Sequence, residues 1–357
     1  MSKAMIAMSG GVDSSVSAAL MLEQGYDCMG VTMKLYARPE DLESESGKTC
    51  CSLDDVEDAR AVAHRLGMPH YVFNFQNDFS EQVIDRFVEV YEKGATPNPC
   101  IDCNRYLKFD RLYQRAITLG CDTIVTGHYA RIEQAENGRY LLKKARNPAK
   151  DQSYVLYFLT QEQLAHTCFP LGVYESKDEI RRIAEKYGFV NAHKGDSQDI
   201  CFVPDGDYVR FIEQYTGKQY PCGNYCDLQG NVLGQHKGVI GYTIGQRKGL
   251  GIALGKPMYV CGKCVDTNTV YLGENEDLFS DTLTAHHINL IPFDRLEQPM
   301  RLAAKIRYNQ KEQPATVEQI DADTLKITFD MPQRAIAKGQ AVVLYDGDTV
   351  VGGGTIA

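Results

Sequence analysis

The residues best suited to chemistry lie near the start of the chain, where Ser9-Gly10-Gly11-Val12-Asp13-Ser14-Ser15 places glycines, hydroxyls and one carboxylate between a short apolar run and a helical pattern. At a strand-to-helix junction, unpaired backbone N–H groups and the helix dipole favour an anion, so the string predicts a phosphate site. Glycines let the backbone approach phosphate oxygens, serines add donors, and Asp13 is the carboxylate that would hold a magnesium ion. A Walker lysine is missing, and a tight turn with a helix cap is the simpler reading of the glycine pair and serine alone. The second chemical group is the thiol, present on 12 cysteines. In a reducing compartment these suit metal binding or catalysis better than structural disulfides. Cys100-Ile101-Asp102-Cys103 is a Cys-x-x-Cys, and Cys201 follows in a second polar stretch. Cys222 with Cys226 and Cys261 with Cys264 form two close pairs about 35 residues apart, the arrangement of a four-cysteine zinc site, with solvent-facing or core thiols as the alternative. Cys28, Cys121 and Cys168 read as small core residues, and Cys50-Cys51 is too crowded to serve one metal.

These groups need a frame, and 357 residues, 43% of them hydrophobic, suffice for more than one domain. Apolar runs at residues 3–8, Cys28 to Leu35, Tyr71 to Phe75 and Thr123 to Thr126 alternate with helical patterns. Those helices run from the loop through Val16, Leu20 and Leu22, over Asp54 to Leu66, Phe79 to Tyr91 and Arg105 to Leu119, and over residues 175–188. The alternation predicts an α/β domain over residues 1–204, a doubly wound parallel sheet with ligands at the carboxyl ends of its strands. From Gly206 to Gly255 glycine is frequent and the helical period fades, apart from Tyr208 to Tyr215, which predicts a small β-rich domain over residues 205–280. Short alternating runs at Ala303 to Arg307, Thr316 to Ile320, Leu325 to Phe329 and Val342 to Tyr345 predict an antiparallel β-barrel over residues 281–357.

The apolar run Ala4 to Met8 is too short for a signal peptide, and no stretch approaches the roughly 20 apolar residues of a membrane span, so a cytoplasmic location is expected. Subtracting 47 acidic from 38 basic residues gives a net charge of -9, which argues against a general nucleic-acid coat. Two segments nonetheless carry only positive charge. One holds Arg139, Lys143, Lys144, Arg146 and Lys150, the other Lys237, Arg247, Lys248, Lys256 and Lys263. Each is either a phosphate-binding surface or a solvated face.

The string Ser9 to Ser15 resembles the pyrophosphatase-loop ATP enzymes, which release pyrophosphate and transfer AMP to a carbonyl oxygen. Within that class the chain is similar, nearly end to end, to the tRNA 2-thiouridylase family. The similarity rests on Thr96-Pro97-Asn98-Pro99, Cys103-Asn104, Lys108-Phe109, Thr126 to Arg131, Lys150 to Tyr154 and Ser197 to Phe202. It continues through His236-Lys237-Gly238, Tyr242 to Gly249, Arg307-Tyr308, Gly339-Gln340 and Gly352 to Gly354. The resemblance implies an adenine-nucleotide-hydrolase-like fold binding ATP at Ala7, Met8, Ser9, Gly10, Gly11, Val12, Asp13 and Ser14, with Met33 and Gly127 near the adenosine. It implies a tRNA partner whose wobble uridine, at tRNA position 34, is adenylated on O2 and then thiolated. Cys103 matches the nucleophile and Cys201 the persulfide carrier, fed by a cysteine desulfurase or a relay protein. The implied target-base contacts are Asn98, Pro99 and Cys100, and the implied tRNA contacts are His128, Lys150, Asp151, Gln152, Arg307, Tyr308 and Gln340. Because the reacting atom lies on a base, the nucleotide must be turned out of its stack.

The chain departs from the family at Cys100, where an aspartate is usual. With Cys103 and Cys201 it supplies three thiolates, enough for a [4Fe-4S] cluster with one iron open, as related tRNA thiolases use. A persulfide and disulfide relay through Cys103 and Cys201 stands beside it. The rival from another class is a non-catalytic RNA-binding module on an ATP-enzyme scaffold, against which the intact Asp13, Cys103 and Cys201 argue. An amidotransferase of the same loop class is disfavoured by the paired loop cysteines.

Overall fold

The computed structural model describes residues 2–36, 53–195 and 200–357. Cys50-Cys51, and residues 197–199 of the motif ending at Phe202, lie outside the described residues. The chain divides into two compact units, each discontinuous in sequence. One comprises residues 1–84, 99–204 and 347–351, the other residues 85–98, 205–346 and 352–357.

In chain order the first unit contains β1 (Lys3–Ala7), α1 (Val12–Glu23), β2 (Asp27–Lys34), α2 (Leu53–Arg65), β3 (His70–Asn74) and α3 (Gln76–Phe79). After α4 (Asp85–Glu92), which belongs to the second unit, the first resumes with α5 (Pro99–Asp102), α6 (Tyr113–Thr118), β4 (Thr123–Val125), β5 (Ala130–Gln134), β6 (Tyr140–Lys144), α7 (Gln161–Ala165), β7 (Thr167–Cys168) and α8 (Lys177–Tyr187). Five strands form a parallel sheet in the order β3-β2-β1-β4-β7. The centre of β1 is fully buried at Ala4, Met5 and Ile6, as a strand covered on both faces requires. Val16, Ala18 and Ala19 of α1 share one core with Val62 and Ala63 of α2 and Ile180 and Ala184 of α8. The chain winds outward from β1 to β3, then crosses back to place β4 on the other side of β1. The gap between the carboxyl ends of β1 and β4 is therefore the topological switch point where α/β sheets bind ligands. α8 starts with a Ser176–Glu179 capping box and ends at left-handed Gly188, the boundary its sequence predicts.

Two details differ from the sequence expectation. The helices expected at Phe79 to Tyr91 and Arg105 to Leu119 contain wide π-helical turns, Ser80–Ile84 and Cys103–Leu112. The expectation rests on the α-helical period, and π-helical winding is too rare to be expected from side-chain pattern. The basic run beginning at Arg139 lies partly on β6, which forms a hairpin with β5. There Lys143 pairs with Glu133 at 2.8 Å and Asp348 at 3.5 Å, while Arg131 meets the same two carboxylates at 2.7 and 2.6 Å. Of that run, the charge of Lys143 is balanced within the fold.

The second unit contains α4, α9 (Tyr208–Thr216) and a four-stranded sheet of β8 (Gly223–Cys226), β9 (Val232–His236), β10 (Tyr259–Cys264) and β11 (Thr269–Gly273), in the order β10-β11-β8-β9. This order corrects the zinc expectation. Strand β11 lies between the strand carrying Cys261 and Cys264 and the one reached by Cys222 and Cys226, which sets the pairs about 9–10 Å apart in the sheet. Four sulfurs around one zinc must converge within about 2.3 Å of it. The strands β12 (Phe279–Leu290), β13 (Met300–Lys305), β14 (Gln313–Asp321), β15 (Thr324–Arg334), β16 (Ala341–Asp346) and β17 (Thr349–Ile356) form an antiparallel barrel. It closes where Ala285 of β12 registers with Ile356 of β17. No helix among the described residues is long and apolar enough to cross a membrane.

His236 is buried beside Tyr225 and Tyr242. Gly238 N–H donates to its Nδ1 at 3.0 Å, so the ring proton sits on Nε2, which faces the Asn268 carbonyl at 3.2 Å. Burial holds the His236 pKa below the ordinary 6.5. A depressed histidine stabilises the fold fully above the unfolded pKa and loses that contribution as pH falls below it. Thermal unfolding should therefore begin at lower temperature at pH 5.5 than at pH 7.5, and His236→Gln should reduce that pH dependence. An unaltered pH slope in the variant would remove His236 from the account.

Candidate active site

The loop after β1 remains tied to the sheet through Met8, whose N–H donates to Val31 O at 2.8 Å and whose carbonyl accepts from Thr32 Oγ1 at 2.9 Å. The chain then turns at Gly10, which has a φ of +75°. A side chain there would be strained and would collide with the backbone of Asp55 on α2. Gly11 is extended at the helix N-cap, and its carbonyl accepts from both Ser14 Oγ and Ser15 Oγ at 3.0 Å. Gly127, just beyond β4, presses on the same turn, since a Cβ there would lie 2.9 Å from Ser14 N. Met33 is buried near the carboxyl end of β2. Ala7 to Ser14, Met33 and Gly127 thus all lie at the carboxyl edge of three neighbouring strands.

Sequence reasoning missed three side chains that hold this loop. Lys177, the first residue of α8, donates to both Asp13 oxygens at 2.6 Å while its side chain remains only 10% exposed. Tyr129 O–H donates to Asp13 Oδ1 at 2.7 Å, and its ring lies 5.7 Å from the Lys177 ammonium. Asn191 Nδ2 donates to Gly10 O and Ser15 Oγ, both at 2.9 Å. The capping box beside Lys177 announces a helix start, but nothing local in the sequence points that start at Asp13.

The Asp13–Lys177 pair bears on the magnesium expectation. A carboxylate whose two oxygens are bound by an ammonium and a phenol is not poised as a resident metal ligand. Among the described residues no group of three or more His, Cys, Asp or Glu side chains could hold a metal ion. The geometry fits a different arrangement, in which Asp13 presents the Lys177 ammonium beside the anion loop and so supplies the lysine that the loop lacks.

Cys100 is exposed in the first turn of α5, and Cys103 is half-buried where the π-helical segment starts. That segment is anchored by Asn104 Nδ2 donating to Val155 O at 3.3 Å and by Lys108 Nζ donating to Asn104 Oδ1 at 2.8 Å. The Arg105 guanidinium lies 5.1 Å from the Phe158 ring and 5.7 Å from the Tyr157 ring. Cys201 is half-buried, and the next residue, Phe202, packs edge-on to Phe79 at 5.7 Å. Since no described group of three could hold a metal, Cys100, Cys103 and Cys201 do not form the three-thiolate cluster site expected of them.

The expected RNA contacts divide sharply. His128 is only 8% exposed, between Phe109 and Phe169, with Nδ1 at 2.7 Å from Thr126 Oγ1, and burial drives its pKa well below 6.5. Its ring supports the fold at the end of β4 instead of facing a nucleic acid, because the apolar neighbours of the strand end enclose it. Asp151 accepts from Ala145 N, Ser153 N and Ser153 Oγ, and Gln152 Oε1 accepts from Tyr129 N. Both build the turn that Lys150 enters half-buried. Arg307 donates to the carbonyls of Arg334 and Ala335, and Tyr308 is exposed. In the second basic segment Lys237, Arg247 and Lys248 are exposed, whereas Lys256 pairs with Glu274. Lys263 donates to Tyr242 O at 2.7 Å, with its pKa lowered by burial to about 8. Asn98 is half-buried and Pro99 buried.

If Lys177 serves the anion loop, Lys177→Met should weaken ATP binding about tenfold or more, while Lys177→Arg should recover part of it. Titration calorimetry on both variants, with unfolding curves as control, checks this. Unchanged ATP affinity in Lys177→Met would reduce the pair to a structural salt bridge.

The chain matches the family model of the tRNA methyl transferase HUP domain over residues 2–205. It matches the tRNA methyl transferase PRC-barrel domain over residues 209–274 and the aminomethyltransferase beta-barrel domain over residues 280–356. It is 55% identical over 355 residues to the tRNA-specific 2-thiouridylase MnmA of Clostridioides difficile strain 630, covering 99% of this chain and 98% of that one. To the protein of the same name from Clostridium acetobutylicum it is 54% identical over 357 residues, covering 99% of each. With this similarity along its whole length, and with the anion loop at the switch point of its sheet, the chain belongs to the tRNA-specific 2-thiouridylase family.

Proposed function

We propose that the protein is a tRNA-modifying enzyme that uses ATP to convert the wobble uridine of tRNA to 2-thiouridine. The observation that carries this reading is the anion loop of the first unit, in a chain whose full-length relatives bear the thiouridylase name. The domain models carry methyl-transfer descriptions, but a loop that receives phosphates and cysteines at 103 and 201 fit adenylation followed by sulfur transfer.

Uridine O2 attacks the α-phosphorus of ATP and pyrophosphate leaves, so that C2 carries an AMP leaving group. The outer sulfur of a persulfide on Cys201 attacks C2, the C2–O bond breaks and AMP departs. The Cys103 thiolate then attacks the Cys201 sulfur, which forms a disulfide and leaves the outer sulfur on C2 as the thiocarbonyl. An external thiol reopens the disulfide, and a persulfide-bearing protein, a desulfurase or a relay, recharges Cys201. This cycle needs a reducing cytoplasm, where tRNA and reductant coexist. No step runs through an iron-sulfur cluster, and Cys100 has no chemical part in it. A divalent ion enters, if at all, on the triphosphate.

The test is thiolation of a uridine-34 tRNA with ATP and a persulfide donor. Asp13→Ala, Cys103→Ser and Cys201→Ser should each abolish product, whereas Cys100→Ser should keep most of the activity in air. Loss of activity in Cys100→Ser together with iron absorption in the wild type would replace the relay by a cluster. On the RNA side, neutralising Lys237, Arg247 and Lys248 together should weaken every tRNA about equally and lower the salt slope of binding by about 1 for each phosphate no longer neutralised. An unchanged slope would make them a solvated face.

A further inference from the structure

Thr32 of β2 is buried, yet it carries a hydroxyl, and that hydroxyl has a single hydrogen. The hydrogen goes to Met8 O at 2.9 Å, the last carbonyl before the anion loop. His70 Nε2 of β3 lies 2.9 Å from the same hydroxyl oxygen, so Nε2 carries a ring proton and donates to Thr32 Oγ1. The ring reaches Thr32 past Gly30, its register partner on β2, where a Cβ would stand 3.2 Å from His70 Cδ2 and 2.6 Å from Met8 Sδ. His70 Nδ1 is left buried with no partner among the described residues, an unmet acceptor that counts against a purely stabilising role for the ring.

A trans peptide is planar, with its C=O and N–H on opposite sides. Holding Met8 O toward Thr32 therefore turns the Ser9 N–H the other way, and it donates to Ser14 Oγ at 3.2 Å. Ser14 Oγ donates in turn to the carbonyl of Gly11, the N-cap of α1, at 3.0 Å. His70, Thr32, the Met8–Ser9 peptide, Ser14 and Gly11, all in the first unit, thus form one chain of donors running in a single direction, in which each bond polarises the next. We infer that Thr32 and His70 are positioning residues, which fix the orientation of the Met8–Ser9 peptide and through it the Ser14 hydroxyl in the loop that receives ATP. The consequence for ATP rests on the functional reading above, whereas the hydrogen-bond chain does not.

The experiment compares Thr32→Val, which keeps the shape and removes the hydroxyl, and His70→Leu, which removes the ring donor, with Thr32→Ser and His70→Gln, which each retain a donor. Two quantities are measured on the full chain, with unfolding curves as control. One is hydrogen–deuterium exchange of the peptide covering residues 8–15 without nucleotide. The other is ATP Kd by titration calorimetry. The expected result is exchange about tenfold faster and ATP Kd about tenfold weaker in Thr32→Val and His70→Leu, with Thr32→Ser and His70→Gln recovering part of both. Exchange within about twofold of wild type in Thr32→Val overturns the inference, and so does faster exchange with unchanged ATP Kd, which reduces the pair to support of the fold. Should His70→Leu fail to fold, Thr32→Val, close in size to the original, decides alone. Should the wild type bind no ATP, the functional reading falls while the exchange comparison still decides the hydrogen-bond chain.

Discussion

The backbone of α2 at Asp55 lies so close beneath Gly10 that no side chain fits between them, and the neighbouring parts of the first unit follow from that contact. The turn after β1 has to be tight, left-handed and made of glycine, which sends the chain directly into α1 with its hydroxyls folded back onto the Gly11 carbonyl. The same constraint gives the segment after α8 its purpose. Asn191 reaches the loop from one side, and Lys194 reaches Asp55 and Asp58 of α2 at 2.7 and 2.6 Å. One short stretch thus ties the loop and the helix beneath it together. Since the binding energy of a triphosphate is best used on a surface that needs no reordering, a loop braced this way is suited to receive one.

Around that brace the charges are arranged in opposed pairs. Asp13 carries a negative charge into a place where the helix dipole welcomes one, yet it is held by Lys177 and Tyr129, so the site is close to neutral before a nucleotide arrives. An incoming anion meets a lysine already oriented by its carboxylate partner, a smaller entropic cost than ordering an unconstrained side chain. His128 shows the opposite strategy. Its ring lies among Phe109 and Phe169 and is kept uncharged by burial, which preserves the end of β4 from which Gly127 presses on the loop.

An acidic chain can bind RNA when its unpaired cations are gathered where the backbone of the nucleic acid passes. In the first unit Glu133 and Asp348 meet Arg131 and Lys143 beside the β5–β6 hairpin, and most of the run there is half-buried. In the second unit Lys237, Arg247 and Lys248 keep their charges exposed among turns rich in glycine. The two basic segments therefore differ in exposure although they look equivalent in composition.

Much of this protein was legible without coordinates. The apolar run before Ser9, the glycine pair and the helical period after it dictate a strand, a turn and a helix, because each is a short-range consequence of side-chain pattern and backbone sterics. The parallel sheet, the barrel and the family follow from the same local signals and from motifs quoted in order along the chain. What tertiary structure alone decided were pairings across long sequence separations. Lys177 meets Asp13 from 164 residues away, Asn191 meets Gly10 from 181 and Gln340 meets Thr96 from 244. No periodicity or propensity encodes such partners, since each depends on where whole elements come to rest. The same reason undid the zinc reading. The spacing of Cys222, Cys226, Cys261 and Cys264 suits a metal, but the order in which their strands hydrogen-bond places β11 between the pairs.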